Sequence, residues 1–404
     1  MAAIFLILLV GDILGGMIYY NYGYRMDPVT EPKSGKDTIH LMIATDLHYL
    51  SASLTDRGDA WQDMVKSSDG KLTEYSDEIL DSLVKQVKKE KPDALVICGD
   101  ITFNGEEESL PKVTEKLEEI QDAGVPVLML PGNHDINYPY SVGYKGSSTY
   151  PVSNIPQRKF EAACRQFGYY RGSARYAGSF SYVYPLSDRW ALMFLDSNTE
   201  DAPGAMTAET LKWAEKQLAE LKKQGVRCIT VTHQNVLPQN KTFTDGFVIT
   251  NCNDVQELLR KNGVKVNLSG HSHLQHTATE KGLTDYCTGA LSVWPLRYAE
   301  AELSPDGSFQ YQTLSLGILK EESRKRFDET TGRMADSGFQ IIEKREKLTA
   351  EEKNVMREWV IRMNEYYFSG KDPNPLAAEQ GWKLWKSKGE GTYVKAYFES
   401  MLEP

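Results

Sequence analysis

Asp46-Leu47-His48, Gly99-Asp100, Gly132-Asn133-His134-Asp135, a lone His233 and Gly270-His271-Ser272-His273 follow one another along the chain, each directly after an apolar run. Imidazole, carboxylate and amide donors mixed in this way suit Mn, Fe, Zn or related divalent ions. The candidate metal ligands are Asp46, His48, Asp100, Asn133, His233, His271 and His273. The sequence has seven histidines, and five of them (His48, His134, His233, His271, His273) fall in these motifs. A single histidine reads as a packed or surface side chain, and His40 and His276 are read that way. Five interleaved with Asp and Asn at the ends of apolar runs are not. In Asp46-x-His48 and His271-x-His273, alternate residues of an extended chain point to one side, so each motif presents two ligands together. Glycines before Asp100, Asn133 and His271 permit tight backbone turns there.

In this order the motifs resemble the calcineurin-like metallophosphoesterase superfamily. Its pattern is Asp-x-His, Gly-Asp, Gly-Asn-His-Asp/Glu, His and Gly-His-x-His, and every part is matched. Within it the chain is similar to the bacterial class III cyclic-nucleotide phosphodiesterases and their exported relatives with a C-terminal helical region. The resemblance implies one metal on Asp46, His48, Asp100 and His273, and another on Asp100, Asn133, His233 and His271, with Asp100 bridging. It also implies that His134 gives a hydrogen bond or proton to the leaving oxygen. Asp135 is expected to orient that imidazole, as carboxylates often do. Asn104 stands four residues after Asp100, where it either touches a phosphate oxygen or makes the turn before Gly105. Purple acid phosphatases carry a tyrosine ligand three residues after the bridging aspartate. Phe103 stands there in this chain and cannot ligate, so no ferric–tyrosinate centre is expected. Two bound ions would supply a hydroxide for in-line attack and offset the charge that grows on the phosphoryl oxygens. The expected function is phosphodiester hydrolysis, extending to cyclic nucleotides. The alternatives are a phosphomonoesterase or nucleotidase, and a non-catalytic, metal-stabilised scaffold. A scaffold has no use for the leaving-group imidazole, and Asn133-His134-Asp135 is intact.

Short β-rich runs at 39–44, 94–98, 125–130, 190–195, 229–231 and 264–268 must place these motifs. Helical patterns at 74–89, 106–123, 208–223 and 254–261 separate several of them. Apolar strands alternating with helices indicate sheet covered on both faces. Strand-like runs at 179–185 and 286–314 point to antiparallel additions. The expected architecture is an α/β metallophosphoesterase-type βαβ sandwich with mixed sheets flanked by helices, over residues 38–318. Residues 319–404 are read as a helical appendage. Thr349-x-x-Glu352 has capping-box spacing, and Val355, Trp359, Met363 and Tyr366 follow on one face before Gly370 closes the helix. Shorter helical patterns cover 376–386 and 392–402. Trp359, Trp382, Trp385, Tyr397 and Phe398 read as packing residues rather than a ligand cage.

Residues 136–177 look like a long irregular insertion with nine aromatics, where the chain's 10 % aromatic content would give about four. Tyr138, Tyr140, Tyr144 and Tyr150 sit among glycines and prolines and could overhang the metal rim, where exposed rings stack on nucleobases. The net charge of −10 disfavours long nucleic acids, whose binding needs clustered Lys and Arg. A small phosphoester is the expected partner, and no protein partner is evident. The five scattered cysteines form no zinc ribbon or disulfide framework. Cys98 and Cys228 read as buried, and a Cys252–Cys287 bridge stays open.

Residues 1–24 read as a membrane anchor or signal-like segment, and 25–37 as a linker. Ten strongly apolar residues between positions 2 and 22 contribute roughly −3 to −6 kcal/mol to insertion, against about +3 for the single charge, Asp12. The length suits a span. No basic region precedes it and no small-x-small cleavage site follows, unlike a cleaved signal peptide. Arg25, Lys33 and Lys36 follow the segment and by charge bias would keep the body inside, whereas an export signal at the extreme N-terminus sets it outside. The expected location is a membrane anchor with the catalytic domain extracytoplasmic.

Overall fold

Strands that are apolar along their whole length form where both faces can be covered, and the first three in the chain do so side by side. β1 (Ile39–Ala44), β2 (Ala94–Ile97) and β3 (Val127–Met129) are parallel neighbours. The chain then builds a second sheet from β4 (Ala174–Arg175), β5 (Tyr182–Pro185), β6 (Trp190–Phe194), β7 (Arg227–Val231), β8 (Val266–Ser269), β9 (His276–Glu280) and β10 (Leu283–Cys287). β11 (Arg297–Leu303) and β12 (Phe309–Ser315) return to the first sheet, β11 antiparallel to β1 and β12 antiparallel to β11. The sheet orders are β12-β11-β1-β2-β3 and β9-β10-β8-β7-β6-β5-β4, with β6, β7, β8 and β10 parallel. The expected mixed α/β sandwich is therefore observed. The computed structural model describes residues 38–240, 242 and 244–402, so the expected anchor at 1–24 and linker at 25–37 lie outside the described residues. Among the described residues no helix is long and apolar enough to cross a membrane.

The period of β6 shows the layering. Trp190, Leu192 and Phe194 enter the core that the two sheets share, while Ala191 and Met193 lie in a second core with Ala214, Leu218, Val255 and Leu259. Those last four come from helices Ala208–Lys223 and Cys252–Lys261. Helices Ser76–Glu90 and Leu110–Asp122 cover the first sheet with Ile79, Leu83 and Val87, and with Val113, Leu117 and Ile120. This i, i+3/i+4 spacing is the apolar stripe a surface helix needs.

Four helices follow: Lys320–Ile342, Ala350–Phe368, Gln380–Lys388 and Tyr393–Leu402. The capping box at Thr349 and Glu352 is formed. The buried face of its helix is Met356, Trp359, Val360, Met363, Asn364 and Tyr367, so Val355 and Tyr366 sit beside the seam rather than in it. The shift arises because this helix packs against two others, Lys320–Ile342 and Gln380–Lys388, and buries two flanks. Trp359 stacks on Trp382 at 5.0 Å, and Trp359, Trp382, Trp385 and Phe398 are core. The region packs against the preceding domain. Its core includes Leu274 and Cys287 of the preceding domain, and Gln275 N donates to Phe368 O at 3.1 Å.

The 136–177 insertion is less irregular than expected. It holds a two-stranded ribbon, Val142–Lys145 with Ser148–Pro151, and a helix, Gln157–Cys164. All five cysteines are free, so no Cys252–Cys287 bridge exists; Cys98 is buried and Cys228 only half-buried.

Candidate metal centre

Each ligand candidate stands a few residues beyond the end of a parallel strand. Asp46 and His48 follow β1, Asp100 follows β2, Asn133 follows β3, His233 follows β7, and His271 and His273 follow β8. The carboxyl ends of both sheets meet at one rim, where α/β sheets open onto ligands. Asp46, His48 and His273 form one group there, and Asp100, His233 and His271 another, with the ligand atoms of each within 4.8 Å of one another. His48 Nε2 is 3.1 Å from His273 Nε2, and these nitrogens lie 3.8 and 3.5 Å from Asp46 Oδ1. In the second group His233 Nε2 is 3.3 Å from Asp100 Oδ2, 3.2 Å from His271 Nδ1 and 3.0 Å from Asn133 Oδ1. Asp100 Oδ2 is also 3.6 Å from His48 Nε2, so this oxygen lies between the groups.

Both carboxylates are divided in the same way. Asp46 Oδ2 accepts from Thr45 Oγ1 at 2.8 Å and His271 N at 3.0 Å, while Oδ1 is buried and accepts no hydrogen bond. Asp100 Oδ1 accepts from His134 N at 2.9 Å, leaving Oδ2 turned to the imidazoles. Two rings are fixed from behind. The His233 Nδ1–H donates to Cys98 O at 2.7 Å and the His271 Nε2–H to Gly246 O at 2.6 Å, which selects the tautomers that present the other nitrogen. A buried oxygen without a donor, facing lone pairs of several imidazoles, fits a cation. The donor set, nitrogen and oxygen without sulfur, suits two divalent ions.

Burial works to raise Asp100, but His233, His134 and His48 hold its carboxyl well below the usual range. Burial likewise opposes the charged form of His233, yet Asp100 lifts it to about 9. Burial pushes His48 well below an ordinary histidine and His271 down to about 4.

The local backbone differs from the extended motifs expected. Asp46, His48, Asp100, His271 and His273 all have positive φ, between 45° and 67°. Side chains are therefore aimed by successive left-handed turns, not by strand alternation. Such conformations cost of order 1–3 kcal/mol each and persist where surrounding structure over-determines them. The preceding glycines serve close approach as much as turning. A Cβ on Gly132 would collide with Asp100, one on Gly270 with Thr45, and one on Gly99 would stand 2.5 Å from His233 Nδ1.

His134 lies beside both groups, its ring 5.0 Å from that of His48. Its orientation corrects the expectation for Asp135. The Asp135 carboxylate accepts from Ile101 N, Thr102 N, Thr102 Oγ1 and Gly132 N at 2.8–3.1 Å and makes no contact with the ring. Fully buried, it ties the two strand-end loops together. The imidazole is held instead by Phe103 O and Asn104 Oδ1, each 2.9 Å from Nδ1. Asn104 itself is fixed through Glu106 Oε2, 3.0 Å from its N–H, and through Ser141 Oγ, 2.5 Å from its carbonyl. The Phe103 ring stands edge-on to His48 at 6.4 Å and ligates nothing.

Of the four tyrosines expected near the rim, two reach it. Tyr138 stacks on His134 at 4.6 Å, and Tyr140, 70 % exposed, stands edge-on to Tyr138. Tyr144 is buried against Trp61, and Tyr150 lies over Gly143. Phe247, 44 % exposed and 6.1 Å from His271, borders the opposite side; no sequence pattern marked it. Thr45 and the Gly246 carbonyl also escaped the sequence reading, because one hydroxyl and one backbone oxygen carry no motif. His40 pairs with Glu302 and His276 with Gln239, away from the centre.

The calcineurin-like phosphoesterase model matches residues 39–275. A Psychrobacter arcticus protein named "Probable cyclic nucleotide phosphodiesterase" is 25 % identical over 266 residues, covering 65 % of this chain and 83 % of its own. A Fibrobacter succinogenes protein with the same description is 27 % identical over 218 residues, covering 54 % of this chain and 68 % of its own. The fold is also that of a dimetal phosphatase from Danio rerio, with a TM-score of 0.50 at 14 % identity over 69 % of this chain and 99 % of the other. With seven ligand candidates at one rim and the family model spanning the strands that bring them there, this chain belongs to the calcineurin-like phosphoesterases and is a metal-dependent phosphoester hydrolase.

Proposed function

We propose that the substrate is a phosphodiester of a nucleotide, cyclic nucleotides included. The observation that carries this reading is the His134–Tyr138–Tyr140 array beside the ligand groups. His134 is fastened through Nδ1, so Nε2 is the nitrogen left to protonate a leaving oxygen. The exposed face of Tyr140 offers a stacking surface next to it, and base stacking contributes about 1–3 kcal/mol per base. Relatives named as cyclic nucleotide phosphodiesterases support the same class. A diester carries one negative charge, which an acidic protein accommodates more readily than a dianionic monoester. When bound, manganese, iron or zinc would supply the nucleophile and Lewis acidity. Asp46, His48, Asp100, Asn133, His233, His271 and His273 would hold the ions.

The test compares kcat/KM for an aryl phosphodiester, its matched monoester and a cyclic nucleotide, in metal-replete wild type and in His134→Ala. The diester is expected to be preferred, and His134→Ala to lose about 10²–10⁴-fold in kcat. Preference of the wild type for the monoester overturns the diester assignment in favour of the phosphomonoesterase alternative.

The apolar segment at 2–22 supports a further reading: it holds the chain at a membrane with the catalytic domain extracytoplasmic.

A further inference from the structure

Hydrolysis of a diester leaves one of its two alcohols behind. The water's oxygen joins phosphorus, one ester P–O bond breaks, and the departing oxygen takes a proton from His134 that the water's released proton replaces. The second alcohol stays on the phosphorus. This retained group is what a diester has and a monoester lacks, so a site that prefers diesters needs a surface for it. On the His134 side the rings run Tyr140, Tyr138, His134, His48, with centroids 5.7, 4.6 and 5.0 Å apart in turn. That series serves the leaving oxygen and ends in the ligand group of Asp46, His48 and His273.

Phe247 stands at the other ligand group, that of Asp100, His233 and His271. Its ring is 6.1 Å from His271, which is 5.0 Å from His233. An exposed phenylalanine alone means little, since much of any protein surface is apolar. The position and the loop are what matter. Among the described residues five large apolar side chains are exposed, Tyr140, Tyr150, Phe247, Ile341 and Tyr393, and two of them, Tyr140 and Phe247, border the ligand groups. Thr244 O accepts from Phe247 N at 3.0 Å and from Val248 N at 3.2 Å. Gly246 between them has a left-handed φ of 81°, and its carbonyl accepts from the His271 Nε2–H at 2.6 Å. Asn235, two residues after His233, donates its N–H to Phe247 O at 3.3 Å and accepts from Ile249 N at 3.0 Å. Val236, Leu237 and Ile249 at this joint are buried, while Phe247 stays 44 % exposed. The ring is therefore fastened against a ligand imidazole with a face left open.

We propose that Phe247 packs against the alcohol that stays on phosphorus, so that it selects diesters whose retained group is an aryl or nucleoside. This rests on the phosphodiester reading above and assigns each half of the diester to one aromatic side of the site. The test uses three esters that share one leaving group: bis(p-nitrophenyl) phosphate, methyl p-nitrophenyl phosphate and p-nitrophenyl phosphate. It measures kcat/KM for the metal-loaded wild type, Phe247→Ala, Phe247→Tyr and Tyr140→Ala, with metal content by elemental analysis. Phe247→Ala is expected to lose about tenfold more on the bis-aryl diester than on the other two, the worth of one buried aromatic contact. Phe247→Tyr keeps the ring and should keep the wild-type ratio. Tyr140→Ala should lower all three alike, because their leaving group is the same.

Equal losses by Phe247→Ala on all three esters overturn the proposal, by making the ring a support for His271, and so does loss of metal from that variant. A Tyr140→Ala loss confined to the bis-aryl diester overturns it too, by placing the retained group on the His134 side. A wild type that prefers the monoester retires the diester reading itself, and this inference with it, whatever Phe247→Ala does.

Discussion

Asn104 joins His134 to the loop that follows β2, and three of its groups are already committed. Its Oδ1 meets His134 Nδ1, its N–H donates to Glu106, and its carbonyl accepts from Ser141. A residue that aims the general acid acts on the transition state more than on substrate binding. Asn104→Ala is therefore expected to lower kcat by about tenfold with KM and metal content little changed, one neutral hydrogen bond being worth about 1 kcal/mol. If KM rises while kcat stays, Asn104 instead contacts phosphate, the role its distance from Asp100 suggested. At this scale the sequence was readable wherever a side chain must be a particular chemical type. The seven ligand candidates could be named because imidazoles and carboxylates after apolar runs have few other uses. Asp135 was misassigned because a carboxylate beside a histidine pairs with it easily in one dimension, whereas in space it faces four donors of the neighbouring loops.

At the scale of elements, helices 208–223 and the strand ends were legible from period alone, while the 136–177 segment was not. Its order comes from fastening to the β2 loop rather than from its own pattern. Glu107 N donates to Ser153 O, Ile155 N to Gly105 O and Asn137 N to Ile155 O, at 2.8–3.0 Å. Glu106 sits inside this joint, bridged to Asn154, with Oε1 buried and unpartnered. Burial lifts its carboxyl to about 7 from an ordinary 4.5. The folded state thus binds the proton more tightly than the unfolded chain. The stability this gives is complete below about pH 4.5 and is lost as pH rises through about 7. Glu106→Gln keeps the shape and removes the titration. Denaturant unfolding of both proteins from pH 4.5 to 8 should show the wild type losing stability relative to the variant, on the order of 2–3 kcal/mol. Parallel curves would show that Glu106 does not titrate in this range.

On the scale of the molecule, the two ends of the chain should behave oppositely when removed. The first ligand candidate is Asp46, and β1 begins at Ile39. A fragment starting at Asp37 is expected to be soluble and to keep kcat/KM within about twofold, the range of changes remote from a site. The full chain should sediment with membranes, and its recovery in a soluble fraction with an uncleaved N-terminus would remove the anchor. Among the described residues, three of the joints between the C-terminal helices and the catalytic domain hold loops near the centre. Arg326 fastens the Lys71 loop, Gln275 N donates to Phe368 O two residues beyond His273, and Asn240 Nδ2 donates to Tyr367 Oη and Ser400 Oγ. They also cover Leu274 and Cys287 with an aromatic core. Cutting at residue 318 would therefore uncover apolar surface and release these three loops at once. The shortened protein should aggregate, and any soluble part should bind metal and phosphate more weakly than the full chain. A 38–318 fragment that stays monodisperse by light scattering, with metal content and phosphate affinity intact, would show that the helices only ride on the catalytic domain.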